Sequence, residues 1–225
     1  MNELRYLGHS AFFIKNGEYG ILIDPFISQN PSVKFDVRDT QITHIFLTHG
    51  HGDHLGDALA LAQTTGAVIV AVFELANYCQ ARGVNTIPVA LGGEIKFEWG
   101  SSWFLPAFHS SSTPDGHYAG CAASILFDIG GVRIFHAGDT AMNTEMKLIG
   151  DFYKPYYALL PIGGHFTMGI PEALYAAKML NAKEIIPMHY NTFDVIKADV
   201  ISFVTALEEQ GQKGIILKAN ESIDI

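Results

Sequence analysis

One short segment of the chain concentrates residue types that bind metal ions. Residues 48–54 read Thr-His-Gly-His-Gly-Asp-His, which places four metal-capable side chains within six residues and separates them with two glycines. Glycine permits a tight turn, so several of these side chains can point at one or two cations. Imidazole suits zinc, iron and manganese, and the carboxylate allows a second, harder cation beside the first. The competing interpretation is a solvated polar turn, or a helix whose N-cap is Asp53.

Three further residues of the same types follow predicted strands later in the chain. His109 comes after a strand that ends at Pro106, Asp139 lies in His-Ala-Gly-Asp-Thr, and His189 lies in Ile-Pro-Met-His-Tyr. Each alone is a weak signal, because a lone histidine after a strand is usually a surface or core residue and Gly-Asp is usually a turn. Together with the first segment they predict a metal site assembled from loops at strand ends.

Strands and helices must position these loops, and their pattern predicts the architecture. Asn16-Gly17 and Gly130-Gly131 predict hairpins. Apolar runs predict strands over 42–47, 119–128, 132–136, 158–161, 184–187 and 214–217, with helices over 55–64, 144–150, 171–180 and 198–210. This order predicts two sheets packed together with helices on their outer faces. The polar stretch 28–41 is expected to be a loop, and no linker marks a boundary, so residues 1–225 are expected to form one domain.

The amino-acid composition limits the classes of molecule that the protein is expected to bind. The 225 residues carry 14 Lys and Arg against 23 Asp and Glu, a formal net charge of −9, and 48% hydrophobic residues. So few scattered cations do not supply the basic face that long nucleic acids need, and no apolar stretch approaches the roughly 20 residues that cross a membrane. Cys79 and Cys121 are expected to be buried free thiols in a reducing compartment, and the N-terminus does not resemble a signal peptide, which favours the cytoplasm. We therefore expect a small-molecule substrate, neutral or anionic; a homo-oligomer is compatible with the sequence.

The seven candidate ligands resemble the metal-binding pattern of the metallo-β-lactamase superfamily. Its His-x-His-x-Asp-His motif stands at residues 49–54, and the later His, Asp and His of the pattern follow in the expected order. The resemblance covers essentially the whole chain and implies an α/β (α+β) fold, a four-layer αββα sandwich with a binuclear site at one edge. It also implies how the ligands are shared: His49, His51 and His109 for one cation, Asp53, His54 and His189 for the other, and Asp139 as the bridge.

Shorter segments are similar to the small single-domain branch of this superfamily known as metal-dependent hydrolases, with some likeness to ascorbate-6-phosphate lactonase. These segments are Gly8-His9-Ser10, Ile23-Asp24-Pro25, residues 136–140 and residues 161–169. The chain is expected to lack the insert of the RNA-processing members and the second domain of glyoxalase II or flavodiiron proteins. Met142 stands where acyl-homoserine lactonases carry a catalytic tyrosine, which disfavours lactone chemistry of that kind.

The resemblance implies a hydrolase that uses a metal-bridging hydroxide. Two divalent cations, zinc first with manganese or iron as alternatives, would lower the pKa of a shared water from about 15.7 toward 7 and stabilise the oxyanion formed by its attack. Asp53 is the candidate catalytic residue, to orient the hydroxide and pass its proton to the leaving group. By position, we expect substrate contacts from His165 and Tyr190, and support of the metal ligands from His9, Asp24, Ser110 and Thr140.

Three functions are compatible with such a site. The first is hydrolysis of a small ester, lactone, thioester or phosphoester. The second is a phosphodiesterase that acts on a small nucleotide, because the same pair of cations cleaves phosphodiesters. The third is a non-catalytic, metal-dependent binding or sensor protein, which the complete ligand set including Asp53 disfavours.

Overall fold

The computed structural model describes residues 2–30, 33 and 40–225, which divide into two compact units. Unit 1 comprises Met1–Gly93, Ser110–Ala122 and Leu217–Ile225, and unit 2 comprises Glu94–His109 and Ala123–Ile216. Each unit contains one seven-stranded sheet with helices packed on it. Much of the predicted 28–41 loop lies outside the described residues, and a single domain over 1–225 stays a prediction.

Unit 1 combines antiparallel and parallel strands in one sheet. Its strands are β1 (Asn2–Gly8), β2 (Ala11–Asn16), β3 (Tyr19–Ile23), β4 (His44–Phe46), β5 (Val68–Val72), β6 (Thr86–Val89) and β14 (Ser222–Asp224), in the order β14-β1-β2-β3-β4-β5-β6. The helices are α1 (Gly52–Leu55), α2 (Ala58–Thr65) and α3 (Phe73–Gln80). Because β1 and β3 each pair antiparallel with β2, and β3 to β6 are parallel, β1, β3 and β4 end at the same edge of the sheet.

Unit 2 repeats this mixture in the same order along the chain, with antiparallel strands first and parallel strands after them. Its strands are β7 (Glu94–Phe97), β8 (Gly100–Pro106), β9 (Ala123–Ile129), β10 (Val132–His136), β11 (Tyr157–Pro161), β12 (Glu184–Met188) and β13 (Lys213–Gly214), in the order β13-β12-β11-β10-β9-β8-β7. Its helices are α4 (Glu145–Tyr153), α5 (Ile170–Leu180) and α6 (Val200–Glu209). Strands β10 to β12 are parallel and β8 runs in their direction, so β8, β10, β11 and β12 also end at one edge.

Local sequence explains several of these boundaries. Gly17 has a φ of +56° in the β2–β3 turn, and Gly130 and Gly131 have φ of +62° and +89° between β9 and β10. Positive φ suits the tight turns of hairpins, so both hairpin predictions are confirmed. Helix α5 ends where Asn181 adopts the left-handed conformation at φ +49°, the helix stop that its sequence predicts.

Four differences from the predicted elements are informative, and glycine explains two of them. The helix predicted over 55–64 is split at Gly56, whose φ is +42°, and the strand predicted from 119 begins only at Ala123 because Gly120 has a φ of +78°. A positive φ is incompatible with both regular helix and strand. The strand predicted over 214–217 is reduced to β13, and β14 was not predicted because its Ser-Ile-Asp sequence contains no apolar run.

Each unit has an apolar core built on its sheet. Phe12 and Phe46 are fully buried in unit 1, and Phe104, Phe127, Phe135 and Phe203 are fully buried in unit 2. The parallel strand β11 is buried at every position, which explains its continuous apolar sequence. Of the two cysteines, both expected to be buried, Cys79 is buried but Cys121 is exposed.

The helices of the described residues are short. The longest of them, α5, has 11 residues, whereas a membrane span needs about 20. No helix in the part of the chain that the structure describes is long and apolar enough to cross a bilayer.

Candidate metal centre

The four candidate ligands of unit 1 lie on the turn that follows β4 and leads into α1; His49 and His51 precede the helix, and Asp53 and His54 lie in it. His49 and His54 are buried, and His51 and Asp53 are half-buried. His49 Nε2 lies 3.0 Å from His51 Nδ1, and the rings of His49 and His54 are 4.1 Å apart between centroids. The N-cap of α1 is His51, and Asp53 lies in the first turn of the helix. The alternative interpretation of Asp53 as a helix N-cap is therefore wrong.

Asp24, directly after β3, contacts Thr48 and His54 at the two ends of this segment. Its buried carboxylate accepts hydrogen bonds from the Thr48 backbone N–H at 2.8 Å and the Thr48 hydroxyl at 2.6 Å, and lies 2.7 Å from His54 Nδ1. Because the Thr48 hydroxyl donates to Asp24, its oxygen is available to accept from His49 Nδ1, 3.0 Å away. Donation through Nδ1 leaves Nε2 as the lone-pair nitrogen of both imidazoles, which is the tautomer that a metal ligand needs.

His9 brings a further imidazole to Asp53. It follows β1 with a φ of +56°, and the Tyr6 hydroxyl donates to its carbonyl oxygen at 3.0 Å. Its ring lies edge-on to Phe26, and its Nε2 lies 3.1 Å from Asp53 Oδ2. His9, Asp53 and His54 each offer a ligand atom within 4.8 Å of the others. His9 is thus close enough to orient Asp53 or to share a cation with it.

The loop Ser110–Ala122 holds the backbone of the turn. The Gly50 N–H donates to the hydroxyl of Ser111 at 3.2 Å, and a Cβ on Gly50 would lie 2.6 Å from the Cβ of Ala119. Glycine is required there because any side chain would displace the loop. Ser110 itself is exposed, so the neighbouring Ser111 makes this contact, and a supporting role for Ser110 stays a prediction.

Asp115 fastens the same loop to α3. Its carboxylate accepts hydrogen bonds from the Thr113 hydroxyl at 2.6 Å, the Tyr78 hydroxyl at 2.9 Å and the Arg82 guanidinium at 2.7 Å. His117 Nδ1 lies 3.2 Å from it, and the Arg82 guanidinium lies 3.4 Å above the centre of the Tyr78 ring. The hydrogen bond from Thr113, with those from Tyr78 and His117, holds the pKa of Asp115 well below its usual range.

The three candidate ligands of unit 2 come from three different strand ends. His109 follows β8, Asp139 follows β10, and His189 follows β12 directly. Asp139 Oδ2 lies 3.1 Å from His189 Nε2 and 3.6 Å from His109 Nε2. Asp139 and His189 are buried, and His109 is half-buried. One carboxylate oxygen thus faces both imidazoles of this unit.

Thr140 joins the loops that carry His109 and Asp139. Its hydroxyl accepts a hydrogen bond from the Phe108 N–H at 3.0 Å and donates to the Ala141 carbonyl at 2.8 Å. The Ala141 N–H in turn donates to the Phe108 carbonyl at 3.1 Å. Thr140 therefore contacts the backbone of both loops directly beside the two candidate ligands.

The two predicted substrate contacts lie on neighbouring loops of unit 2. His165 is exposed after β11, with a φ of +58°, and its ring meets Phe166 edge-on at 4.4 Å. Tyr190 is half-buried, and burial raises the pKa of its phenol. The Tyr190 hydroxyl therefore stays protonated at neutral pH. Contact with a substrate stays a prediction for both residues.

Backbone strain is concentrated at the strand ends that carry these residues. The non-glycine residues with positive φ include His9, Asp24, His165, His189 and Asn191. Such a conformation costs about 1–3 kcal/mol and persists only where surrounding contacts enforce it, which is typical of functional sites. This indication of a functional site is independent of any sequence motif.

The donor set of the described residues fits divalent metal ions. Each unit brings imidazole nitrogens together with carboxylate oxygens, the donors that zinc, manganese and iron accept. The buried carboxylate of Asp24 behind His54 adds the support that metal-binding imidazoles need. The residues therefore form clusters that can bind metal.

Three supporting residues were not anticipated from the sequence. Thr48 directly precedes the first histidine of the motif, and a hydroxyl at that position is a signal that could have identified it. Ser111 adjoins Ser110, the serine expected by position. Asp115 had no local signal, because two of its partners, Tyr78 and Arg82, lie more than 30 residues away in the chain.

Comparisons with known proteins place the chain in a family. A sequence profile of the Beta-lactamase superfamily domain matches residues 19–190. A UPF0173 metal-dependent hydrolase from Thermus thermophilus is 46% identical over 221 residues, 98% of this chain and 98% of that protein. A protein of the same name from Bacillus cereus is 46% identical over 228 residues, 99% of this chain and all of its own length.

A solved structure extends the match to the fold. Igni18, described as a novel metallo hydrolase from the hyperthermophilic archaeon Ignicoccus hospitalis, superposes with a TM-score of 0.91 at 36% identity. The match covers 99% of this chain and 97% of Igni18. The predicted α/β fold of the metallo-β-lactamase type, with two sheets flanked by helices, is confirmed. The chain belongs to the beta-lactamase superfamily, and within it to the UPF0173 family of metal-dependent hydrolases.

Proposed function

We propose that this protein is a binuclear metal-dependent hydrolase that cleaves a small ester, lactone, thioester or phosphoester in the cytoplasm. The observation that carries the proposal is the position of Asp139, whose single carboxylate oxygen lies 3.1 Å from His189 and 3.6 Å from His109. The names of the relatives in Thermus thermophilus and Bacillus cereus support the class of reaction.

The proposed ligand assignment is the one that the family resemblance implies. His49, His51 and His109 would hold one cation, Asp53, His54 and His189 would hold the other, and Asp139 would be shared by both. It is supported within unit 1 by the 3.0 Å approach of two imidazole nitrogens, one of His49 and one of His51. Zinc is proposed first, with manganese or iron as alternatives, because nitrogen and oxygen donors accept all three.

Bound cations would supply a water of lowered pKa as the nucleophile and stabilise the negative charge that develops on the attacked centre. Asp53 is proposed to take the proton of the nucleophile and to pass it to the leaving group. His9, 3.1 Å from Asp53 Oδ2, orients that carboxylate. Asp24 and Thr48 hold His54 and His49 in the tautomers that expose Nε2.

The test is a screen of the metal-loaded protein against four substrate classes. These are p-nitrophenyl esters, phosphodiesters, lactones and thioesters, each measured before and after removal of metal with a chelator. Turnover that is lost on chelation and restored by zinc, manganese or iron supports the proposal. Activity restricted to phosphodiesters would favour a phosphodiesterase. If elemental analysis finds two metals bound and no substrate of the four classes is hydrolysed, a binding or sensor protein is favoured.

A further inference from the structure

The sheet edge of unit 2 that carries the candidate ligands also carries exposed apolar side chains. We call Phe108, Met142, Phe166 and Phe193 the apolar edge. Their exposed fractions are 59%, 41%, 55% and 41%. Each lies on a different loop, the loops that follow β8, β10, β11 and β12. Large apolar side chains left in water at neighbouring positions usually mark a binding surface.

The strand order places these four loops side by side. Strands β12, β11, β10, β9 and β8 are consecutive in the sheet, and neighbouring strands lie about 4.8 Å apart, so the loops span about 19 Å. Backbone hydrogen bonds join them in pairs: the Ala141 N–H donates to the Phe108 carbonyl, and the Ile162 N–H donates to the Met188 carbonyl, each at 3.1 Å. These bonds join the β8 and β10 loops and the β11 and β12 ends, and the strand order places both pairs at the same end of the sheet.

The apolar edge lies close in sequence to the candidate catalytic residues. Phe108 directly precedes His109, and Phe166 directly follows His165. Thr140 further joins the Phe108 loop to the Asp139 loop through hydrogen bonds of 3.0 Å and 2.8 Å. Small-molecule sites typically surround a few polar groups with apolar side chains, which is the arrangement that these loops provide.

The opposite edge of the same sheet carries a cluster of charged side chains. A cavity of about 550 Å³ lies near the first residues of β10, β11 and β12 and is lined in part by Arg133, Lys154, Lys183, Asp128 and Asp151. Tyr156, which is 45% exposed directly before β11, also lines this cavity, so this edge is distinguished by its charged lining and not by an absence of exposed apolar side chains.

We propose that the apolar edge binds an uncharged alkyl or aryl group of the substrate. The substrate class is then an ester, thioester or lactone whose apolar group extends from the scissile carbonyl, rather than a small anion. This inference rests on the proposed hydrolase function and chooses between neutral and anionic substrates, both of which the sequence allows.

The first experiment is a series of p-nitrophenyl esters with acetyl, butyryl, hexanoyl and octanoyl groups. Each rate is divided by the rate of the same ester with hydroxide alone, which removes intrinsic reactivity. Burial of a methylene group predicts a rise in kcat/KM of about fourfold per added carbon until the edge is covered, mainly through KM. A flat series for the wild-type protein overturns the inference and leaves hydrolase activity intact.

Matched variants test whether the apolar edge causes the dependence of kcat/KM on chain length. Phe108→Ser combined with Phe166→Ser removes the two most exposed members of the apolar edge. Phe152→Ser is the control, because Phe152 is 77% exposed near the end of α4, outside the apolar edge. The double variant should show a flat chain-length series, and the control should keep the wild-type slope. An equal loss of slope in both, or no loss in the double variant, would overturn the assignment to this edge.

A measurement without turnover separates this inference from the proposed function. The neutral dye N-phenyl-1-naphthylamine gains fluorescence on apolar surfaces, and we expect the gain with wild type and Phe152→Ser but not with the double variant. That result in a metal-loaded protein that hydrolyses none of the four substrate classes would contradict the proposed function and preserve the apolar site. Equal dye binding by all three proteins, or a wild-type dimer that becomes a monomer only in the double variant, would contradict the substrate assignment.

Discussion

The two units deliver their candidate ligands in different ways. Unit 1 places His49, His51, Asp53 and His54 on one turn after a single strand, whereas unit 2 takes each of its ligands from a different strand. The positions of the unit 1 ligands depend on the shape of one turn. Those of the unit 2 ligands depend on the register of β8, β10 and β12, so a local change should affect the two groups differently.

The supports of the two groups differ as well. In unit 1 a buried carboxylate, Asp24, contacts a ligand imidazole directly at 2.7 Å. In unit 2 the hydroxyl of Thr140 contacts only backbone and Asn143 in the hydrogen bonds that the structure gives it. Side-chain support fixes the tautomer and orientation of an imidazole, whereas backbone support fixes only the loop. Four predictions test this contrast.

The largest expected effect is the loss of turnover on substitution of Asp53, a residue of unit 1. Asp53→Asn keeps the size of the side chain and an oxygen ligand but removes the proton acceptor. We expect kcat to fall by about 10²- to 10⁴-fold, with most of the metal retained by elemental analysis. Asp151→Asn, at an exposed carboxylate of unit 2, is the control and should be unchanged. Unaltered turnover in Asp53→Asn would exclude proton transfer by this residue.

The second prediction compares metal content. His49→Ala combined with His51→Ala should reduce the metal from about two ions per chain to about one, because the other proposed site keeps its ligands. Asp139→Ala should cost more metal than that double change, since its carboxylate oxygen faces two imidazoles. Elemental analysis after dialysis measures both. Full occupancy in the double variant would refute the assignment of these two histidines.

The third prediction compares the two kinds of support. Asp24→Asn weakens the hydrogen bond that fixes His54, so metal affinity should fall about 10- to 100-fold. Thr140→Val removes backbone hydrogen bonds instead and should lower the free energy of unfolding by about 1 kcal/mol, with a smaller change in metal affinity. Metal titration and urea denaturation measure the two effects. Equal losses of affinity would show that both supports act on the ligands alike.

The same contrast explains how much the sequence predicted. The unit 1 ligands are visible because the turn places them within six residues, and the fold class follows from the order of strands and helices. The candidate ligands of unit 2 are single residues far apart in the chain, so only their order in the family pattern selects them. Boundaries failed where Gly56 and Gly120 adopt positive φ, because a sequence pattern does not report a backbone angle.

The residues that support the candidate ligands through contacts between distant parts of the chain are the least predictable from the sequence. Asp24 was anticipated by position, but its partner Thr48 was not, since their hydrogen bonds join the ends of β3 and β4. Asp115 collects partners from α3, from residue 82 and from its own loop. Such contacts depend on how the loop packs on the helix, which no local pattern of residues encodes.

The smallest expected effect tests whether the loop Ser110–Ala122 holds the unit 1 turn. Asp115→Asn weakens the bonds to Tyr78 and Arg82, so hydrogen exchange should accelerate at Thr113 and Ala119, whose amides bond within the loop. Turnover should fall less than in Asp53→Asn. Asp128→Asn is the control, since that carboxylate pairs with Arg133 in unit 2 and its loss should leave this loop unchanged.

The pH dependence of this exchange identifies the group that holds the loop. The pKa of Asp115 is lowered in the folded protein, so its contribution is complete above the pKa of an unfolded aspartate, about 3.9, and is lost as the pH falls through the lower folded value. After correction for intrinsic rates, protection of Thr113 and Ala119 should be constant from pH 5 to pH 8 in the wild type. The Asn variant should lack part of this protection at every pH. A change in wild-type protection within that range would assign control of the loop to a group other than Asp115.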